Sequence, residues 1–147
     1  MTIGFNNFLD SSQPDLSYID LDADNETVTG GILDMLGYQG VAFFVAANRG
    51  EAANFTIKAQ QDTAANMGTA ADLEGTSVAF STAIEADGFA FLDLQKPAER
   101  YVRAAVVVPN LTTPCALCVI AIRYGKHINP ESNADGELHI APAEGTA

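Results

Sequence analysis

The chain has 147 residues, is 48% hydrophobic, and carries a formal net charge of −12 from 19 acidic and 7 basic residues. This length and composition are typical of one folded domain with a real core, and they exclude disorder over the whole chain. The acidic balance repels phosphate, so we expect no nucleic-acid partner.

The N-terminal segment, residues 1–30, is polar and acidic, and we interpret it as an extended acidic arm with little regular structure. Within it, Asp20, Asp22 and Asp24 have the spacing that opens a calcium-binding loop. Asn25 stands where that loop needs glycine, and Gly31 stands where its closing glutamate belongs. We therefore interpret the three carboxylates as part of the solvated arm and predict no metal site.

The segment from residue 31 to 126 carries the signature of β-strands. Residues 41–47 are apolar on both faces, which is typical of a central strand, whereas residues 55–60 alternate between apolar and polar as a half-exposed strand does. Asp87-Gly88, between two further apolar runs, is a signal for a tight hairpin. No long window shows the period of a helix.

A hairpin is also predicted between Arg100 and Tyr124, where two strongly apolar runs flank a turn that contains Pro109 and Pro114. These runs are strand-sized, far short of the roughly 20 residues of a membrane helix, so we expect no membrane partner. The N-terminus also lacks the pattern of a secretory signal, which favours synthesis as a mature product in the cytoplasm.

These patterns predict an all-β protein: an antiparallel β-sandwich, jelly-roll-like, over residues 31–126. The acidic arm precedes it, and residues 127–147, rich in Pro, Asn, Gly, Glu and Ala, are expected to form an irregular tail.

Residues able to carry catalysis are few. Cys115 and Cys118 have the spacing of redox and metal motifs, but residues three apart in a strand point to opposite faces, so we interpret both as buried free thiols that serve packing. The two histidines, His127 and His139, lie in the tail and do not complete a zinc pattern. The sequence therefore predicts a protein that is not an enzyme and needs no cofactor.

Arginines at the edges of the predicted hairpin are the candidate binding residues. A guanidinium binds a carboxylate through two parallel hydrogen bonds, and this geometry can fix a contact between subunits. Ion pairing along the sheet edge is the alternative, and it contributes little on an exposed surface. The candidate subunit-contact residues are Arg100, Tyr101, Arg103 and Arg123.

Several short motifs give the chain a resemblance to a family of small virion proteins encoded near the head genes of tailed double-stranded-DNA bacteriophages and prophages. The resemblance covers roughly residues 30–128. A glycine-rich turn of that family is replaced here by residues 95–98. The motifs are Ile32-Leu33-Asp34, Leu36-Gly37-Tyr38, residues 41–47, Arg100-Tyr101-Val102-Arg103 and the closing strand Cys118–Tyr124.

The resemblance implies an auxiliary head protein of the cement or decoration kind, with the major capsid protein of the same virus as its partner. Such a protein is made in the host bacterial cytoplasm and binds the outer surface of the assembled head, which it stabilises against internal pressure. We expect a homotrimer over local threefold positions. The alternatives are a head–tail connector or tail subunit, or a β-sandwich adhesion module that binds carbohydrate or calcium.

Overall fold

The computed structural model describes residues 12–48, 52–83 and 88–125, and these form ten β-strands and no helix. The described residues accordingly contain no helix long and apolar enough to span a membrane. The strands, in chain order, are β1 (Ser12–Ala23), β2 (Thr27–Thr29), β3 (Leu33–Asp34), β4 (Gly40–Ala47), β5 (Asn54–Asp62), β6 (Ala71–Asp72), β7 (Val78–Ser81), β8 (Phe89–Gln95), β9 (Tyr101–Val107) and β10 (Cys115–Tyr124).

The strands build two antiparallel sheets. Sheet A has the order β1-β10-β4-β8, and sheet B has the order β2-β9-β5-β6, with β3 added to β9 and β7 added to β5. The pairs are nested from the ends of the chain inward: β1 with β10, β2 and β3 with β9, β4 with β8, and β5 with β7. Nested pairing spread over two sheets is the jelly-roll arrangement, so the predicted fold class is confirmed.

The core lies between the sheets and follows the alternation of the strands. On β4, Val41, Phe43 and Val45 are completely buried, and β5 contributes Phe55 and Ile57 from the opposite sheet. The ring of Phe55 stacks on that of Phe80 at 5.3 Å. Because successive side chains of a strand point to opposite faces, the residues next to these point outward, as predicted for residues 55–60.

The acidic arm predicted for residues 1–30 is wrong over residues 12–29. Ser12–Ala23 forms β1 and pairs along most of β10, while Thr27–Thr29 forms β2 and pairs with β9. The jelly roll therefore begins well before residue 31. Residues 1–11 and the predicted tail, residues 127–147, lie outside the described residues.

Neither predicted hairpin forms. β9 belongs to sheet B and β10 to sheet A, so the Pro109–Pro114 connection crosses between the sheets. In the same way β7 pairs with β5 and β8 pairs with β4, which makes the chain around Gly88 a second crossing. The side-chain directions predicted within β9 and β10 are nevertheless confirmed, since Val102, Ala104 and Val106 and then Leu117, Val119 and Ala121 are buried.

Candidate interaction surfaces

The four candidate contact residues are brought together only in part. Arg100 and Arg123 lie at one end of the sandwich, together with Asp15, Asp34 and Tyr38, and we call these five residues the arginine cluster. Arg103 points outward from β9 in sheet B, where its Nε donates to Oε1 of Gln60 at 2.8 Å. Tyr101, at the start of β9, lies with its ring centroid 5.2 Å from the Arg100 guanidinium.

Arg123 holds three parts of the fold together. Its Nε donates to Oδ2 of Asp15 on β1 at 3.1 Å, and its Nη1 donates to the Asp34 carbonyl oxygen at 2.9 Å. Its guanidinium also lies 4.6 Å from the ring centroid of Tyr38. Since its planar group stacks and donates in several directions at once, Arg123 serves the fold through intramolecular contacts. Whether Arg123 also contacts another subunit stays a prediction.

Arg100 is paired in the same way, with the carboxylate of Asp34. The hydrogen bond from Arg100 holds the pKa of Asp34 below its usual value, and the same bond raises the pKa of Arg100. Both side chains stay roughly half exposed. Ion pairing along the sheet edge, the alternative to a subunit contact, is therefore present. The side of the Arg100 guanidinium that could bind a carboxylate of another subunit binds Asp34 of the same chain.

An open groove of about 680 Å³ lies beside the arginine cluster, lined by residues 35–39 and 96–100. Leu36 in its wall is 64% exposed, and the buried hydroxyl of Tyr38 has no hydrogen-bond partner among the residues that the structure describes. Two cations line the groove, Lys96 and Arg100, and Asp34 pairs with Arg100. The groove therefore offers no free charge from Arg100 to an anionic ligand.

The opposite end of the sandwich is acidic. Asp20, Asp22, Asp24 and Glu26 follow one another along the end of β1 and the turn into β2, and we call them the acidic end. Asp24 accepts a hydrogen bond from the Leu111 backbone at 2.7 Å, which ties this turn to the crossing between β9 and β10. The described residues contain no group of three or more His, Cys, Asp or Glu side chains placed to hold a metal ion.

The outer face of sheet A is apolar, and it is not among the sites predicted from the sequence. Strand register aligns Phe89 with Ala46 and Cys118, and in the next row Phe91 with Phe44 and Ile120. The Phe44 ring lies 6.2 Å from both phenylalanine rings of β8. We call this surface the apolar face; it consists of Ile19, Leu21, Ala42, Phe44, Ala46, Phe89, Phe91, Cys118, Ile120 and Ile122.

A shallow apolar groove of about 320 Å³ extends this face toward β1, between Ile19, Leu21 and Cys118. Cys118 is half-buried here, whereas Cys115 is buried on the inner side, where burial raises the pKa of its thiol. The two thiols therefore point to opposite faces, as predicted for a strand. The expectation that both are buried is wrong for Cys118.

Comparison with known proteins identifies a shared fold. No family model matches the sequence, and no curated protein matches it. Among solved structures, the chain is similar to one titled "Crystal structure of PBSX exported protein XepA", with a TM-score of 0.59 and 16% sequence identity. The match covers 97% of this chain and 47% of that chain, so this chain spans about half the length of XepA. The all-β sandwich is common to both.

Proposed function

We propose that this protein is a structural protein of a bacteriophage particle, a capsid cement or decoration protein that binds the outside of the assembled head. The observation that carries the proposal is the acidic end of the jelly-roll body, where Asp22 and Glu26 are exposed to solvent. A surface patch of one charge favours a partner surface of the opposite charge. The work of such a protein is adhesion.

Two resemblances favour the phage particle as the setting. One solved structure that shares the fold is that of XepA, an exported protein of the phage PBSX. The Arg100-Tyr101-Val102-Arg103 motif and the closing strand resemble small virion proteins of tailed phages. The jelly roll itself is an architecture used by viral capsid proteins.

The acidic end is the surface we assign to the capsid. Asp22 and Glu26 are exposed there, and a basic capsid surface would attract them over a distance of about 10 Å at moderate salt. Attachment repeated over many symmetry-related positions needs only modest affinity at each one. The expected homotrimer over local threefold positions belongs to this same proposal.

The test is co-sedimentation of the purified protein with heads from a phage that lacks its gene. We expect saturable binding that weakens as NaCl rises, and weaker binding by the Asp22→Asn, Glu26→Gln double variant. Glu74→Gln is the matched control, because Glu74 is exposed but lies beyond β6, away from the acidic end. Cryo-electron microscopy of the reconstituted heads should show density across the shell.

Three results would contradict the proposal or its choice of surface. Heads that fail to bind the protein at low salt would exclude attachment to the capsid. A single ring of density at one vertex would instead identify a head–tail connector. Binding that is equally strong for the double variant would reject the acidic end as the attachment surface.

A further inference from the structure

We propose that the apolar face binds another copy of this chain. This inference rests on the self-association that the proposed function includes, and it names the surface through which the copies meet. Five of the eight exposed large hydrophobic side chains among the described residues lie on this one face: Ile19, Leu21, Phe89, Phe91 and Ile120. Single exposed hydrophobic residues are ordinary, but such a concentration indicates a surface that another protein covers.

The size of the face is suited to a protein partner. It spans four strands spaced about 4.8 Å apart and about five residues of each strand at about 3.3 Å per residue, which gives roughly 300 Å² before side-chain relief is counted. Side chains as exposed as Leu21, at 78%, and Phe91, at 60%, add considerably to this area. Two such faces, one from each copy, bury roughly 600 Å² before side-chain relief and rim are counted, against the roughly 1,000 Å² that a specific interface needs.

The negative charge of the chain limits which of its surfaces can contact a second copy. At a net charge of −12, two copies repel each other wherever their carboxylates meet. None of the ten residues of the apolar face is charged. Asp93 shares the row of Ala42 and Ile122 and is an exposed carboxylate at the edge of this face, where it accepts a hydrogen bond from the Tyr124 hydroxyl. Contact through this face therefore brings two copies together with little repulsion between carboxylates.

The outer face of sheet B has a different composition. Lys58 Nζ lies 2.6 Å from Oδ2 of Asp72, and Arg103 donates to Gln60, so polar and charged side chains cover the middle of this sheet. Among the described strands of sheet B, the exposed large hydrophobic residue is Val107, at 39% exposure. Sheet B is thus suited to water and sheet A to a partner.

The test measures mass in solution. Light scattering or sedimentation equilibrium should give the wild-type chain a mass that is a multiple of 15.5 kDa, with the expected trimer as one such multiple. Phe91→Lys and Leu21→Lys should each raise the dissociation constant more than about tenfold, because a lysine would be placed in a desolvated apolar contact. Val107→Lys, the same change on sheet B, should leave the mass unchanged, and circular dichroism should show that all three variants are folded.

Cys118 supplies a second readout. Because it lies in the middle of the apolar face, its thiol should react slowly with a maleimide in the wild-type assembly and faster in Phe91→Lys. Cys115, buried inside the sandwich, should stay slow in both, and Cys118→Ser removes the fast signal. Salt separates this proposal from head attachment: NaCl screens repulsion between copies and should strengthen self-association, while it weakens binding to heads.

A wild-type chain that stays at 15.5 kDa up to high micromolar concentration would overturn the proposal. The proposal would also be overturned if Val107→Lys raised the dissociation constant as much as Phe91→Lys does. The same holds if the Cys118 thiol reacted at the same rate in wild type and in Phe91→Lys. Each of these results leaves the co-sedimentation experiment unaffected, so self-association through the apolar face and attachment to heads can fail separately.

Discussion

The Arg100 guanidinium and the Asp34 carboxylate face each other as two parallel hydrogen bonds. Nε of Arg100 lies 2.8 Å from Oδ1 of Asp34, and Nη2 lies 2.7 Å from Oδ2. The two residues are 66 positions apart in the chain. The pair closes the short ladder of β3 and β9, where Asp34 lies opposite Tyr101. It therefore fixes the register of a two-residue strand that has few hydrogen bonds of its own.

Replacement of Asp34 by Asn should make the protein less sensitive to acid. The hydrogen bond from Arg100 lowers the pKa of Asp34 in the folded state from its ordinary value of 3.8, so its contribution to stability is present above that value and is lost as the pH falls through the lowered pKa. We expect Asp34→Asn to have a lower urea midpoint than wild type at neutral pH. The difference should shrink below about pH 4.

The control for this series is Glu74→Gln, which also removes one carboxylate but lies away from the arginine cluster. Its urea midpoint should stay close to that of wild type at every pH of the series. A difference between Asp34→Asn and wild type that stays constant down to about pH 3 would show that the pair does not respond to protonation of Asp34.

Phe43 and Phe44 are adjacent on β4 and point to opposite sides of sheet A. Phe43 is completely buried in the core, whereas Phe44 lies on the apolar face. Phe43→Ala should lower the free energy of unfolding by about 3–5 kcal/mol, because it removes buried area and leaves a cavity. In dilute solution Phe44→Ala should cost well under half of that, and its main effect should be on self-association.

Urea denaturation at low protein concentration measures the first effect, and sedimentation equilibrium at higher concentration measures the second. If Phe43→Ala and Phe44→Ala lowered the free energy of unfolding of the monomer by similar amounts, the conclusion that Phe44 points outward would be wrong. If Phe44→Ala associated as tightly as wild type, its ring would have no part in the interface.

Local alternation was sufficient to predict the inner faces of β5, β9 and β10, because in these strands burial follows the period of two. It failed for β1, whose acidic and proline-containing sequence is that of a loop. What makes it a strand is pairing with β10 about a hundred residues later, from Ser12 opposite Tyr124 to Ala23 opposite Cys115. Such pairing leaves no local trace. For the same reason, the sequence could not show that the strands flanking Pro109–Pro114 lie in different sheets.

The apolar face did leave a signal that could have been used. Residues 41–47 are apolar on both sides, and Phe89 with Phe91 and Ile120 with Ile122 continue that pattern in two further strands. Apolar residues on both faces were interpreted as evidence of a central strand, which β4 is. They are equally expected in a sheet whose second face is covered by another molecule. Strand order, which the sequence does not contain, was needed to see that these residues form one surface.

Asp62 is a charged residue that the fold buries, with 2% of its surface exposed at the end of β5. Its carboxylate accepts hydrogen bonds from the backbone N–H groups of Ala64 at 2.9 Å and Thr69 at 2.8 Å, and from the Thr69 hydroxyl. These bonds, that of the Ala64 amide foremost, lower the pKa of Asp62. One carboxylate thus closes the loop of residues 63–70.

Asp62→Asn should lower the thermal midpoint more than Asp72→Asn does. The amide nitrogen of Asn donates, so it would oppose one of the two backbone N–H groups and leave that group without an acceptor. Asp72 is exposed, and water can replace the partners it loses. Calorimetry at neutral pH checks the order, and hydrogen exchange of the Ala64 and Thr69 amides should quicken in Asp62→Asn alone. Equal midpoints for the two variants would contradict the assigned role of Asp62.

Tyr124 should control stability at the alkaline end of the pH range. Its hydroxyl donates to Asp93, and its ring covers Gly40 on the neighbouring strand, where an added Cβ would lie 2.5 Å from the ring. Burial, with the Asp93 carboxylate second, raises the pKa of Tyr124 from 10.0 to about 12. Since the folded pKa is the higher one, this contribution to stability is complete below pH 10.0 and is lost as the pH rises through about 12.

Urea midpoints measured from neutral to strongly alkaline pH should therefore fall more steeply for wild type than for Tyr124→Phe, which has no phenol to ionise at that position. Asp93→Asn removes the carboxylate but not the burial, so the tyrosinate absorbance of Tyr124 should appear at a pH between those of free tyrosine and wild type. Tyr101→Phe is the matched control, and it should retain the highest-pH transition. Loss of that transition in Tyr101→Phe, or its survival in Tyr124→Phe, would assign the raised pKa to a different tyrosine.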